Sequence, residues 1–114
     1  MTREKFKEIE DKFGKVRDKF YEAKNDVAAI DECSETIQKI RKGVNEEKII
    51  VKFELYKDDG EIEEIIEPVF FTYSQHGRIA LEALKILEEE LKALELELET
   101  SLKELKRRLN MESV

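Results

Sequence analysis

The sequence contains few of the residues that interrupt helices or that build chemical sites. Its 114 residues include no Trp, one Pro, four Gly, one Cys and one His. A single cysteine cannot form an internal disulfide, and one histidine cannot by itself supply a typical zinc site. The scarcity of Pro and Gly predicts long, uninterrupted elements of secondary structure.

Motifs for catalysis and cofactor binding are also missing. The sequence has no glycine-rich phosphate loop, no paired Cys or His and no nucleophile motif. We therefore predict a protein that is not an enzyme and has no catalytic, cofactor-binding or metal residues. His76 is expected to have a surface or helix-capping role, and Cys33 to be a buried structural thiol rather than a reactive one.

No apolar run approaches the roughly 18 residues of a membrane span, and the segment MTREKFKEIE has no apolar signal region. These absences predict a soluble, cytoplasmic protein. The net charge is −7, and residues 46–75 carry nine acidic and three basic side chains. An acidic surface disfavours nucleic acid and anionic membranes as partners, because both attract Lys and Arg.

The strongest pattern that the sequence does contain is a leucine stripe, which predicts a helix over about 74–110. Leucines recur at steps of three and four residues, which is the spacing of one helix face. Two consecutive steps of four, from Leu94 to Leu98 and from Leu98 to Leu102, predict a stutter in the heptad pattern. The stripe consists of Leu84, Leu87, Leu91, Leu94, Leu98, Leu102, Leu105 and Leu109.

A second heptad pattern predicts a helix over about 3–42. Phe6, Phe13, Phe20 and Val27 occupy one core row (a), and Ile9, Val16, Ala23, Ile30 and Ile37 occupy the other (d). Ser34 interrupts the first row, and Cys33 and Ile40 continue the apolar face one position earlier. Gly43 is predicted to end the helix as its C′ residue.

Residues of about 47–71 change to the alternating period of β-strands. Asp58-Asp59-Gly60 predicts a tight turn between two strands, and the slipped alternation over 63–66 predicts a β-bulge. Thr72 and Gln75 have the spacing of a helix capping box, with Ser74 as a second candidate cap.

These elements predict one domain over residues 1–114, in the α+β class but mostly α, with two long antiparallel helices joined by a β-hairpin. The predicted seam between the helices is Phe6, Phe13, Phe20, Ile30, Leu84, Leu91, Leu98 and Leu105. Several apolar residues fall off that seam and predict an interface between copies of the chain: Ile50, Tyr56, Val69, Phe70, Ile79, Ile86 and Leu96.

The order helix, hairpin, helix, with heptads over Phe6–Ile37 and Leu84–Leu109 around strands near 49–55 and 61–67, resembles a beta-type prefoldin subunit. That resemblance implies an oligomer joined by its hairpins and an ATP-independent chaperone that holds non-native clients at its coiled-coil tips. The sequence thus predicts a coiled-coil assembly protein that binds itself and another protein. The alternative is a small acidic viral or phage inhibitor of a host factor, such as a nucleic-acid mimic.

Overall fold

The computed structural model describes residues 2–109 and confirms the predicted fold class. Helix α1 spans Thr2–Asn45, strand β1 spans Phe53–Tyr56, strand β2 spans Ile62–Ile66 and helix α2 spans Tyr73–Arg108. The predicted end of the second helix at residue 110 lies outside the described residues. Among the described residues, no helix combines the length and apolar character that a membrane span requires.

The chain divides into two compact units. Within the described residues, unit 1 comprises 2–34 of α1 together with 90–109, which contains the end of α2 and the residue after it. Unit 2 comprises 35–89, which includes the end of α1, the hairpin and the beginning of α2. The prediction of a single domain stays a prediction.

In unit 1, the covered residues of both helices repeat at heptad spacing. The stripe on α1 consists of Val16, Lys19, Ala23, Asp26, Ile30 and Cys33, and the stripe on α2 consists of Leu91, Leu94, Leu98, Ser101, Leu105 and Arg108. Gly14, Ala29, Ser34 and Glu104 are partly covered beside these stripes. At the end of this unit, Arg108 Nη1 donates a hydrogen bond to the Lys15 carbonyl oxygen at 3.1 Å. The stripe on α2 runs through Leu98 without the predicted stutter, because Ser101 takes the covered position and Leu102 is exposed.

The predicted phase of α1 is wrong in unit 1. Phe6, Phe13 and Phe20 are more than half exposed, so they do not line the seam. Both the predicted and the observed stripe contain the row of Val16, Ala23 and Ile30. The second row of the observed stripe differs from the predicted one. It contains Lys19 and Asp26, each of which precedes a residue of the predicted phenylalanine row by one position.

In unit 2, the covered residues are mainly apolar. They include Ile37, Ile40 and Val44 on α1, and His76, Ala80, Leu84 and Leu87 on α2. Leu84 is 5% exposed and is among the best-buried side chains of the described chain. This apolar cluster supports the point at which the hairpin joins the two helices.

Helix α1 continues three residues past its predicted end at Lys42. Its C-terminus is a Schellman motif, in which Lys48 N donates to Gly43 O at 2.9 Å and Glu47 N donates to Val44 O at 3.2 Å. Glu47, with φ of 55°, takes the left-handed position that was predicted for Gly43. Gly43 lies inside the helix against Ile49, where a Cβ would make an ordinary contact at 3.4 Å with the Cβ of Ile49.

Candidate protein-binding surface

The hairpin carries the candidate functional surface, and its turn forms as the sequence predicts. Gly60 has a φ of 89°, and Gly60 N donates to Lys57 O at 2.9 Å. Lys57 N in turn donates to Glu61 O at 2.8 Å, and Asp59 Oδ1 accepts a hydrogen bond from Glu61 N at 3.0 Å. These bonds close a three-residue loop with glycine in the left-handed position, a common hairpin connection.

The antiparallel strands pair Phe53 with Ile66, Glu54 with Ile65 and Leu55 with Glu64. The register then shifts, so that Tyr56 pairs with Ile62 and Glu63 becomes the extra residue. This irregularity confirms the predicted bulge. Because paired residues share a face of the sheet, Phe53 and Ile66 lie on one face and Ile65 lies on the other.

All nine strand residues of the hairpin are exposed. Two strands have no second layer to cover either face, so apolar side chains meet water on both sides of the sheet. These side chains are Phe53, Leu55, Tyr56, Ile62, Ile65 and Ile66. We call this set the hairpin surface. A two-stranded sheet is marginal alone and gains stability when such faces are covered.

A short segment before α2 extends the exposed apolar area. Phe70 is 94% exposed and Val69 is 78% exposed, the two highest values among the large apolar side chains of the described chain. Phe71 N donates to Pro68 O at 3.0 Å, which closes a turn and holds both side chains outward from the start of the helix. The turn and the hairpin surface together present apolar groups along both strands and before α2, but not at the charged tip of residues 57–61.

Helix α2 begins at the predicted capping box. Gln75 N donates to Thr72 Oγ1 at 3.2 Å, and Thr72 N donates to Gln75 Oε1 at 2.9 Å. The box satisfies two backbone donors at the helix start and fixes the direction of the helix relative to the segment 67–71. Thr72, rather than the second candidate Ser74, is therefore the cap.

His76 has a structural role that the sequence did not reveal. It was predicted at the surface or as a cap, but it is 6% exposed. Its Nδ1 accepts a hydrogen bond from Val51 N at 3.0 Å, which places the ring proton of the neutral tautomer on Nε2. Its ring also meets that of Phe71 edge to face, with centroids 5.6 Å apart. His76 thus ties both flanks of the hairpin to α2.

An open groove of about 800 Å³ lies beside this junction in unit 2. Its lining includes Phe71, Ile79, Leu81 and Leu84, and an ion pair between Arg41 and Glu88 closes one side. The lining mixes apolar and charged groups, which suits contact with another protein better than chemistry on a small molecule. Among residues 2–109, no cluster of His, Cys, Asp or Glu could hold a metal ion.

The residues predicted for an interface between copies divide between the two units. In unit 2, Ile50, Tyr56, Val69, Phe70 and Ile86 are exposed, whereas Ile79 is half-buried in the groove. In unit 1, Leu96 is exposed on α2. Of the predicted seam residues, Ile30, Leu84, Leu91, Leu98 and Leu105 lie on the covered stripes, while Phe6, Phe13 and Phe20 do not.

The hairpin carries more carboxylates than basic side chains, so few of its carboxylates form ion pairs. Glu54 accepts a hydrogen bond from the Tyr56 hydroxyl, and this bond raises the pKa of the phenol. Lys52 and Glu67 form an exposed ion pair at 3.3 Å across the sheet. The remaining carboxylates around the turn place negative charge beside the exposed apolar groups, as charged side chains often do at sheet edges.

Comparison of this chain with family models, with curated proteins and with solved structures gives no match.

Proposed function

We propose that this chain is a non-enzymatic assembly protein that binds other protein chains through its hairpin surface. The observation that carries the proposal is that both faces of the hairpin and the adjoining residues Val69 and Phe70 are apolar and exposed. Patches of this kind mark protein interaction sites. The first occupant we propose is another copy of the chain, since hairpins gain stability by pairing edges or stacking faces.

The proposed activity of the assembly is ATP-independent holding of non-native proteins. The order of elements supports it through the resemblance to beta-type prefoldin subunits, and the exposed apolar side chains of unit 1 supply surface for clients. Phe6 and Ile9 near the beginning of α1 are each about two-thirds exposed. Apolar groups held on a charged, soluble helix suit transient contact with unfolded chains.

The test is suppression of aggregation. A chemically unfolded model client is diluted into buffer without nucleotide, with and without the full chain, and turbidity is followed. The proposal expects suppression near stoichiometric amounts of the chain, and weaker suppression by the Phe6→Ser, Ile9→Ser double variant. A matched control replaces Lys7 and Glu8, which are exposed on the same turn, by Ser. Turbidity that is unchanged at a tenfold excess of the chain would refute the holding activity.

A further inference from the structure

Three phenylalanines of unit 1 form an exposed row along α1. Phe6, Phe13 and Phe20 are spaced by seven residues and are 65%, 66% and 52% exposed. Seven-residue spacing keeps the three rings on one side of the helix, as in a coiled-coil seam. The covered stripe of α1 contains none of them, so this row is a second apolar face. We call it the phenylalanine row.

Gly14 lies next to the central ring of this row, and no contact within the described chain requires a glycine there. A Cβ at Gly14 would have nothing within 4 Å, and an alanine would favour the helix more. The absent side chain leaves a surface depression whose lining includes Glu10, Phe13, Gly14 and Arg17. The depression is open to a group from outside the chain.

Charges of opposite sign flank this depression symmetrically. Glu10 precedes Phe13 by three residues, and Arg17 follows Gly14 by three residues. A two-fold axis between positions 13 and 14 of two antiparallel helices therefore places each Glu10 opposite an Arg17. Successive residues of a helix point about 100° apart, so the same axis sets the two Phe13 rings side by side and each Phe6 beside the other copy's Phe20. It also sets the two Gly14 residues side by side. At the ends of the overlap Arg3 faces Lys24, so the central pairs carry the electrostatic preference.

We propose that residues 6–21 of α1 are a docking site for a second copy of this chain in antiparallel orientation, with the two phenylalanine rows against each other and the two Gly14 depressions facing each other. Two observations choose this occupant over an unrelated helix. The phenylalanine row meets its own copy under the two-fold axis, and the flanking charges complement themselves under the same axis. The site is separate from the hairpin surface and does not depend on it. It shares Phe6 with the surface proposed for clients, so a second copy and a client compete for that ring.

Cysteine cross-linking tests the arrangement in the full chain. In a Cys33→Ser background, the Glu10→Cys, Arg17→Cys double variant is expected to form a covalent dimer under mild oxidation. The geometry brings position 10 of one copy opposite position 17 of the other. Each single variant should cross-link slowly, because equal positions are about seven residues, or roughly 10 Å, apart along the helix.

The outcomes of this experiment separate the candidate occupants. A double variant that cross-links no faster than the singles would overturn the proposal and leave the phenylalanine row to clients or to another protein. A Glu10→Cys variant that cross-links to itself as fast as the double variant would overturn the antiparallel orientation. Loss of the hairpin interface would change neither result, so failure here and failure of the proposed function are distinguishable.

Charge reversal supplies a second test, read as the concentration dependence of mass in sedimentation. Glu10→Arg and Arg17→Glu are each expected to weaken this association about tenfold, because each turns two attractive pairs into two repulsive ones. The double reversal restores the pairs and is expected to restore the association. A double reversal as weak as the singles would contradict the pairing.

Discussion

The backbone N–H of Val51 donates a hydrogen bond to Nδ1 of His76 across 25 positions of sequence, at 3.0 Å. The bond connects the segment that enters the hairpin with the first turn of α2, and the His76 ring also contacts Phe71 on the segment that leaves it. One buried side chain thus orients the exposed hairpin surface on the helices. The hairpin surface is held by polar contacts at its base rather than by a core beneath it.

Replacement of His76 by Ala should therefore destabilise unit 2. Val51 N loses its acceptor, and an unsatisfied buried donor costs about 1–3 kcal/mol in the free energy of unfolding. Chemical denaturation measures the change. Arg78→Ala, at an exposed position in the same turn, is the control and should change stability by less than about 0.5 kcal/mol. Equal effects of the two substitutions would show that the hydrogen bond contributes nothing.

The heptad position of Phe13 suggests a large loss of stability on substitution by Ala, but its exposure predicts a small one. Phe13→Ala should cost less than about 1 kcal/mol at a protein concentration low enough to prevent association, because no cavity forms at an exposed site. Leu84→Ala should cost about 2–5 kcal/mol, since Leu84 is 5% exposed. A cost for Phe13→Ala as large as that for Leu84→Ala would place the phenylalanine row inside the seam.

Asp26 lies on the covered stripe of unit 1, and its Oδ2 is buried without a hydrogen-bond partner among the described residues. Such an oxygen loses its hydration on folding without compensation. Asp26→Leu should therefore raise the free energy of unfolding by about 1–3 kcal/mol. Asp31→Leu, at an exposed position on the same helix, should leave stability nearly unchanged. A destabilised Asp26→Leu variant would mean that the carboxylate has a stabilising role.

The end of α2 should respond to acid through Glu104. Hydrogen bonds from Arg107 and Arg108 lower the pKa of this carboxyl from 4.5 to about 2. A pKa that is lower in the folded state contributes stability above pH 4.5, and that contribution is lost as the pH falls from 4.5 to about 2. The melting temperature of Glu104→Gln should thus fall less than that of the wild type as the pH is lowered through this range. Added salt should reduce the difference, since the Glu104 side chain is 28% exposed and its ion pairs with arginine are reached by solvent. Parallel curves would contradict the assignment.

The sequence predicts the hairpin well because its signals are local. Gly60 at the turn, the slipped alternation near Glu63 and the capping pair of Thr72 and Gln75 each determine backbone geometry within a few residues. The end of α1 is less predictable, because Gly43 and Glu47 are both compatible with a helix C-terminus. The structure places the left-handed residue at Glu47 and continues the helix through Gly43.

The phase of α1 is not predictable from hydrophobicity alone. A covered helix face needs two neighbouring rows, and the row of Val16 and Ala23 has the phenylalanines on one side and Lys19 and Asp26 on the other. The hydrophobic pattern favours the phenylalanines as the second row. The structure instead covers Lys19 and Asp26 and leaves the phenylalanines exposed. The role of His76 was equally hidden, since its partner is a backbone N–H that belongs to no motif.

The most direct test of the proposed assembly is the molar mass of the full chain from light scattering after gel filtration, at tens of micromolar. We predict a multiple of the 13.5 kDa chain mass for the wild type and for Glu63→Lys, which places a lysine at the exposed bulge. We predict a smaller mass for Ile65→Lys, which charges one face of the hairpin surface opposite Glu54 and so preserves the strand pairing. A wild-type mass near 13.5 kDa, or an Ile65→Lys mass equal to that of the wild type, would contradict assembly through the hairpin.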